Sequence, residues 1–361
     1  MPFSTLVAGL ALMSTTGWAQ YTLEDDYLAN GFFDQFSFFT SGDPTHGFVQ
    51  YVDQGTANSN GLISSSGSQA VMRVDSTNTA PNGRTSVRLT SNKAYDSGLV
   101  IADIAHMPGG ICGVWPAFWM VGPNWPSNGE IDIIEGVNDQ STNDMTLHTS
   151  DGCSIGSGGM SGYVVTSNCY INAPGQSSNQ GCQIGTGDTS TYGSGFNANG
   201  GGVYATEFTS SGVKIFFFPR GSIPGDISSG SPNPSSWGQP VAYFQGGGCD
   251  FGSHIKQQQI VFDTTFCGDW AGAVWGNGGC ASRAGSCNDF VANNPSAFSD
   301  AYWAVNGLKV YQNYGSTSFD LESPPSNSSA SSSSASVLKE SKKERFRRHL
   351  AEHRNSGAEL F

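Results

Sequence analysis

The chain has 361 residues, enough for one large all-β domain or two small ones, and only 12% of them are charged. Its formal charge of −13 is unevenly spread: residues 20–322 hold nine Lys/Arg against 25 Asp/Glu, and residues 323–361 hold seven against four. An acidic body repels phosphate, which excludes nucleic acid as a partner, and it suits an uncharged polymer.

In chain order, residues 1–19 have the form of an export signal. An apolar run from Leu6 to Met13 leads to Gly17-Trp18-Ala19, with small residues where a signal peptidase needs them. The expectation is a secreted, extracellular protein. No other segment approaches the ~18 apolar residues of a membrane span.

Residues 20–322 read as a single domain of short strands. Alternating polar and apolar residues mark Gln69–Asp75, Thr85–Thr90, Leu99–Asp103, Met145–Thr149, Val203–Thr209, Val213–Phe218, Gln259–Asp263 and Ala301–Gln312. Ser211-Gly212 predicts a hairpin, and Asn306-Gly307 predicts another between Tyr302–Val305 and Leu308–Tyr311. The 48 glycines supply turns, and nothing before residue 337 has the spacing of a long amphipathic helix. The fold class is all-β: a sandwich of two antiparallel sheets or a jelly roll.

Eight cysteines (112, 153, 169, 182, 249, 267, 280 and 287) follow the export signal, so up to four disulfides are expected, in a pairing the spacing leaves open. They are too scattered for a zinc site, and no metal or cofactor is predicted. Residues 323–336, rich in Ser and Pro, form a linker containing the N-glycosylation acceptor Asn327-Ser328-Ser329. Residues 337–361 are a charged extension, too polar at the end for a lipid-anchor signal; an inert extension is the favoured reading and a basic surface-binding tail the alternative.

The chemistry concentrates in Gly129-Glu130-Ile131-Asp132-Ile133-Ile134-Glu135-Gly136. Carboxylates in an apolar strand are costly to desolvate and persist where they are paired or do chemistry. Trp115, Trp119 and Trp125 lie just upstream, and aromatic faces beside carboxylates point to sugar chemistry. Strand alternation puts Glu130 and Asp132 on one face and Glu135 on the other. A β-bulge between Asp132 and Glu135 would restore the common face. With side chains leaning together, the two glutamate carboxyls would end ~5 Å apart, the spacing of a retaining glycosidase. The bland alternative is a half-buried strand whose acids pair with Arg or Lys.

This stretch, with Asp43-Pro44-Thr45-His46-Gly47, Tyr51-Val52-Asp53, Gly83–Arg88, Thr146-Leu147-His148-Thr149, Phe266–Gly272, Asn294–Phe298 and Tyr311-Gln312, resembles the secreted laminarinases of glycoside hydrolase family 16. The resemblance spans residues from about 21 to 312. It implies a curved jelly roll with an open cleft on its concave sheet and endo-acting hydrolysis of β-1,3-glucans, possibly mixed-linkage β-1,3-1,4-glucans too. It makes Glu130 the nucleophile and Glu135 the general acid/base, with Asp132 between them. An ionised Glu130 would raise the pKa of Glu135, and Asp132 would hold Glu130 by a shared proton or hydrogen bond while its charge also favours a protonated Glu135.

Trp119, Trp125 and Trp270 match aromatic positions of that cleft, and His148 matches a histidine near the leaving group. Arg88 could hold a sugar hydroxyl, or Arg84 and Arg88 could pair with surface acids. Trp115 reads as core. The expected partner is β-glucan, bound by a monomer. Two rivals share the fold: a non-catalytic glucan-binding lectin, which needs no carboxylate trio, and a glucan transglycosylase, whose wall-crosslinking members usually carry an unbulged motif and a lipid-anchor tail.

Overall fold

A computed structural model describes residues 21–313. The expected export signal, residues 314–322 of the predicted domain, the linker with Asn327 and the charged extension lie outside those residues.

Strands dominate. One eight-stranded sheet runs, edge to edge, Tyr163–Val164, Cys182–Gly185, Asp144–His148, Glu130–Glu135, Val114–Val121, Gln258–Phe266, Arg88–Tyr95, Phe36–Phe38. The second is built around Gly98–His106 and Tyr302–Gln312, with the hairpin Gly202–Thr209/Gly212–Pro219 on one side and Gln69–Arg73 on the other. Each alternating segment read from sequence lies on one of these strands, give or take end residues, except Thr85–Thr90, which splits between two. The longest helix among the described residues, Cys287–Asn293, has seven residues, as the lack of helical periodicity leads one to expect.

The core lies between the sheets. Phe118, Met120, Ile131, Ile133, Ile134, Leu147 and Phe262 of the first meet Val100, Ala102, Ile104, Tyr204, Ile215 and Leu308 of the second. Burying such side chains contributes about 1.5–3 kcal/mol each. The first sheet's inner face is thereby committed to packing, and its outer face is left for polar residues.

The Ser211-Gly212 hairpin forms, with Thr209 paired to Gly212. Gly212 has φ 148°, and a Cβ there would lie 2.5 Å from the Phe244 carbonyl oxygen. The Asn306-Gly307 hairpin does not form. Tyr302–Gln312 is one strand of 11 residues, and its register against Gly98–His106 shifts around Asn306. Asn306 accepts from Gln69 at 2.9 Å and donates to Asp103 at 3.1 Å, so a neighbour on each side holds it in the sheet. Asn-Gly marks a bulge here, because flanking strands already occupy both edges of the ladder.

All eight cysteines are paired: 112–280, 153–249, 169–182 and 267–287. Arg84 pairs with no surface acid. It is fully buried, donates to the Val291, Asp75 and Asn78 carbonyls and stacks on Phe298. It ties the helix Cys287–Asn293 to the Asp75–Asn78 loop.

Candidate active site

The expected bulge is present. Asp132 pairs with Thr146 and Trp119, whereas Glu135 pairs with Asp144 and Ala117, and the register slips between them on both sides. Ile131, Ile133 and Ile134 point into the core, which leaves Glu130, Asp132 and Glu135 on the outer face.

A bulge strands backbone groups, and a residue overlooked at the sequence level satisfies them. Asn143, fully buried in the turn before Asp144–His148, accepts from the Glu135 N–H at 2.9 Å and donates to the Ile133 carbonyl at 2.8 Å. Its own N–H donates to Thr191 Oγ1 at 3.2 Å. One amide side chain thus clamps both ends of the distorted segment, where an unpaired buried group would cost about 1–3 kcal/mol.

His148 is the cross-strand partner of Glu130, and its Nε2 lies 3.9 Å from Glu130 Oε1 and 3.2 Å from Asp132 Oδ2. The latter contact is close enough for charge attraction but not aligned as a hydrogen bond, and Asp132 Oδ2 has no hydrogen-bond partner. Glu130, Asp132 and His148 bring ligand-type atoms within 4.8 Å of one another, the one such group among the described residues.

Trp115 is not core. Its indole N–H donates to Glu135 Oε1 at 2.9 Å, and its ring meets Trp270 edge-on at 5.6 Å. It lies two residues from Ala117, the partner of Glu135, so alternation turns it to the same outer face. Trp119 lies on that face too and donates to Asp263 at 2.9 Å, while Tyr51 donates to the other Asp263 oxygen at 2.9 Å. Arg88, paired across the ladder with Asp263, stacks between Phe39 and Trp119 at 4.8 and 4.9 Å. Trp125 is 43% exposed in a loop tied by Ser127→Asn124 and Gly129→Pro126 backbone bonds. Trp270 follows Cys267 on a segment anchored by the Cys267–Cys287 bridge. The seven site residues expected beside Glu130 gather on or around one sheet face.

Electrostatics single out the same cluster. Burial, then the charge of Asp132, pushes Glu130 up to about 8, while His148, Arg88 and Trp125 pull it back. Glu130 keeps 17% side-chain exposure, so water relieves part of that burial. Burial, then Asp263, holds Asp132 well above the carboxylate range. Glu135 is also held high, first by burial and then by Asp132; the Trp115 N–H and His148 oppose this, and Glu130 contributes least. The expected directions hold, since the charges of Glu130 and Asp132 both raise Glu135, but their order is uneven. Dehydration and the middle aspartate dominate, because Asp132 is the more deeply buried neighbour. Protons are retained by a set of three interacting carboxyls.

Two antiparallel sheets, with a carboxylate trio and indole rings on one outer face, define a carbohydrate-cleaving sandwich enzyme. Comparison with known proteins agrees. Residues 36–311 match the XgeA-like catalytic domain of glycoside hydrolase family 16. An endo-1,3(4)-β-glucanase of Arthroderma benhamiae is 50% identical over 307 residues, covering 84% of this chain and 67% of that relative.

Among solved structures, laminarinase 16A of Phanerochaete chrysosporium, with 6-O-glucosyl-laminaritriose in donor and acceptor sites, aligns with TM-score 0.77 and 46% identity. An elongating family 16 β-1,3-glucosyltransferase aligns with TM-score 0.75 and 48% identity; both matches cover 81% of this chain and the whole of the other. The chain belongs to glycoside hydrolase family 16. It is a glycosidase of the endo-1,3(4)-β-glucanase type.

Proposed function

We propose that the protein is an extracellular, endo-acting, retaining glucanase that cleaves β-1,3-glucan with Glu130 as nucleophile and Glu135 as acid/base. The observation that supports this most is the bulge, which turns three dehydrated carboxyls to one face of a strand. Once the interacting set has released a proton from Glu130, the ionised Glu130 attacks the anomeric carbon as the glycosidic C–O bond breaks, and Glu135, still protonated, gives its proton to the departing oxygen. The glycosyl–Glu130 ester is neutral, so Glu135 becomes more acidic. It can then take a proton from water as the water attacks the same carbon and releases Glu130.

Trp115 orients the Glu135 carboxyl, and its N–H stabilises the ionised form needed in the second step. His148 favours the ionised forms of Glu130 and Glu135. Trp119, Trp125 and Trp270 offer faces for sugar rings, with Trp119 held by Asp263. Four disulfides fit an oxidising, extracellular setting.

The test is product analysis on laminarin beside barley-type mixed-linkage glucan and cellulose, with the first-formed anomer followed by proton NMR. β-Anomers from laminarin are expected, and an initial α-anomer would sink the retaining assignment. One observation favours a second reading. A 48% identical structure is described as an elongating glucosyltransferase, and a sugar can intercept the same ester in place of water. Oligosaccharides longer than the substrate would reveal it.

A further inference from the structure

Cross-strand register places one more residue in line with Glu135. Glu135 pairs with Asp144, Asp144 with Gly185, and Gly185 with Tyr163 on the sheet's edge strand. Directly paired residues share a face, so all four side-chain positions lie on the outer face. At about 4.8 Å per strand, Tyr163 is roughly 14 Å from Glu135 across the sheet. It is too far away to touch the sugars at the scissile bond.

The phenol nonetheless belongs to that row. A Cβ on Gly185 would lie 3.0 Å from Tyr163 Cζ and 3.1 Å from its hydroxyl oxygen. The ring therefore lies over the gap left by Gly185, its hydroxyl end directed toward Asp144 and Glu135. At 59% exposure it is the most exposed of the large hydrophobic side chains among the described residues. Its backbone is fixed on every side. Tyr163–Val164 pairs with Ile184–Gly185, Gly162 donates to Val241 at 2.9 Å, and Val165 donates to Gln183 at 2.8 Å. A rigid aromatic ring left open to solvent, with a side-chain-free residue between it and an acid row, has no packing rationale.

We infer that Tyr163 is a distal platform for the glucan chain, stacking a glucose unit that lies beyond those flanking the cleaved bond. This rests on the glucanase reading above. The occupant is the substrate itself, because the row is continuous with the catalytic carboxyls. Sugar stacks on aromatic faces as other flat rings do, and Tyr163 is preorganised to accept it with little ordering cost.

The test is kcat/KM for β-1,3-gluco-oligosaccharides from the dimer upward and for laminarin, using wild type, Tyr163→Ala and Tyr163→Phe. Tyr163→Ala should match wild type on the shortest cleaved substrate and fall roughly five- to tenfold on long chains, judged by stacking on aromatics. Tyr163→Phe should retain most of the long-chain efficiency, and melting temperatures should not differ. Equal efficiencies of Ala variant and wild type at every length overturn the inference, as does an equal loss at every length. A wild-type enzyme that cleaves none of these glucans overturns the glucanase reading, and this inference with it.

Discussion

The two sheets treat their outer faces in opposite ways, although both use indole–carboxylate contacts. On the second sheet, Leu99, Ile101, Val203, Ala205 and Phe216 face outward and are buried under Ile223, Ile227 and Trp237. There Trp237 meets Phe216 edge-on at 5.2 Å and donates to Asp226 at 2.8 Å, and Asp226 also accepts from the Ile227 and Asn233 N–H groups. That carboxylate is saturated and serves a lid. On the first sheet, Trp115 donates to Glu135 and Trp119 to Asp263, and among the described residues neither indole belongs to a buried apolar cluster, while Glu135 is held well above the carboxylate range. The same chemical pair anchors an apolar cover on one face, and on the other it orients a carboxyl of the proposed site through Trp115 and an indole ring through Asp263.

Exchange of activity for stability should separate the faces most widely. Glu130→Ala is expected to lower activity by roughly 10⁴–10⁶-fold, the scale of losing a nucleophile, without lowering the melting temperature. Trp237→Ala should do the reverse, costing up to about 3 kcal/mol of stability with kcat/KM of the folded enzyme unchanged. An active Glu130→Ala preparation free of wild type would end the proposed assignment. A Trp237→Ala enzyme that melts normally would remove the contrast.

Asn143→Ala comes next. Without its amide the bulge loses two bonds, at about 1–3 kcal/mol for a buried group left unpaired. Misplacing Glu135 by an ångström can cost about 10²-fold in rate. Asn143→Ala should therefore lose both stability and rate, whereas a lid residue loses only the first. Thermal melts and kcat measured together decide; an unaltered kcat would show that the bulge holds itself.

Much of this is legible in the sequence. Alternation marks the strands because each buries one side, and the spacing of Glu130, Asp132 and Glu135 demands a bulge if the acids are to cooperate. What stayed hidden depends on register. Asn143 is one asparagine in a turn, and only the pairing of Glu135 with Asp144 shows which orphaned groups it reaches. Trp115 looks like core until Ala117 is known to pair with Glu135. Asn306-Gly307 failed for the same reason in reverse, as local turn preference yielded to strands on both edges of Tyr302–Gln312. Tyr163 gives no local signal at all.

Trp125 tests the open face at a smaller scale. It is exposed, so Trp125→Ala should leave the melting temperature nearly unchanged while weakening oligosaccharide binding by about 1–3 kcal/mol, by analogy with base stacking. Calorimetric titration on an inactive Glu130→Ser background reads the affinity. A large fall in melting temperature with unaltered affinity would place Trp125 with Trp237 as a packing residue.

The smallest effect concerns pH, and it follows from the direction of the shifts. Glu130 rises from 4.5 to about 8 and Asp263 from 3.8 to about 6, with Asp132 and Glu135 also raised. Raised carboxyls bind protons more tightly in the folded state. Their stabilising contribution is complete below about pH 4 and is lost as pH climbs through 6 and 8. Asp53 and Asp75, both lowered, act oppositely, and only below about pH 4. Stability should accordingly decline between about pH 5 and 8, a trend seated on the open face. Asp132→Asn removes one acid from a set that titrates together, so its last proton leaves at lower pH. The stability slope should flatten, and the alkaline limb of kcat/KM should move down by about one unit, the size of one nearby charge. If that limb stays in place while the melting curve flattens, Asp132 influences folding alone, and Glu135 owes its proton to burial.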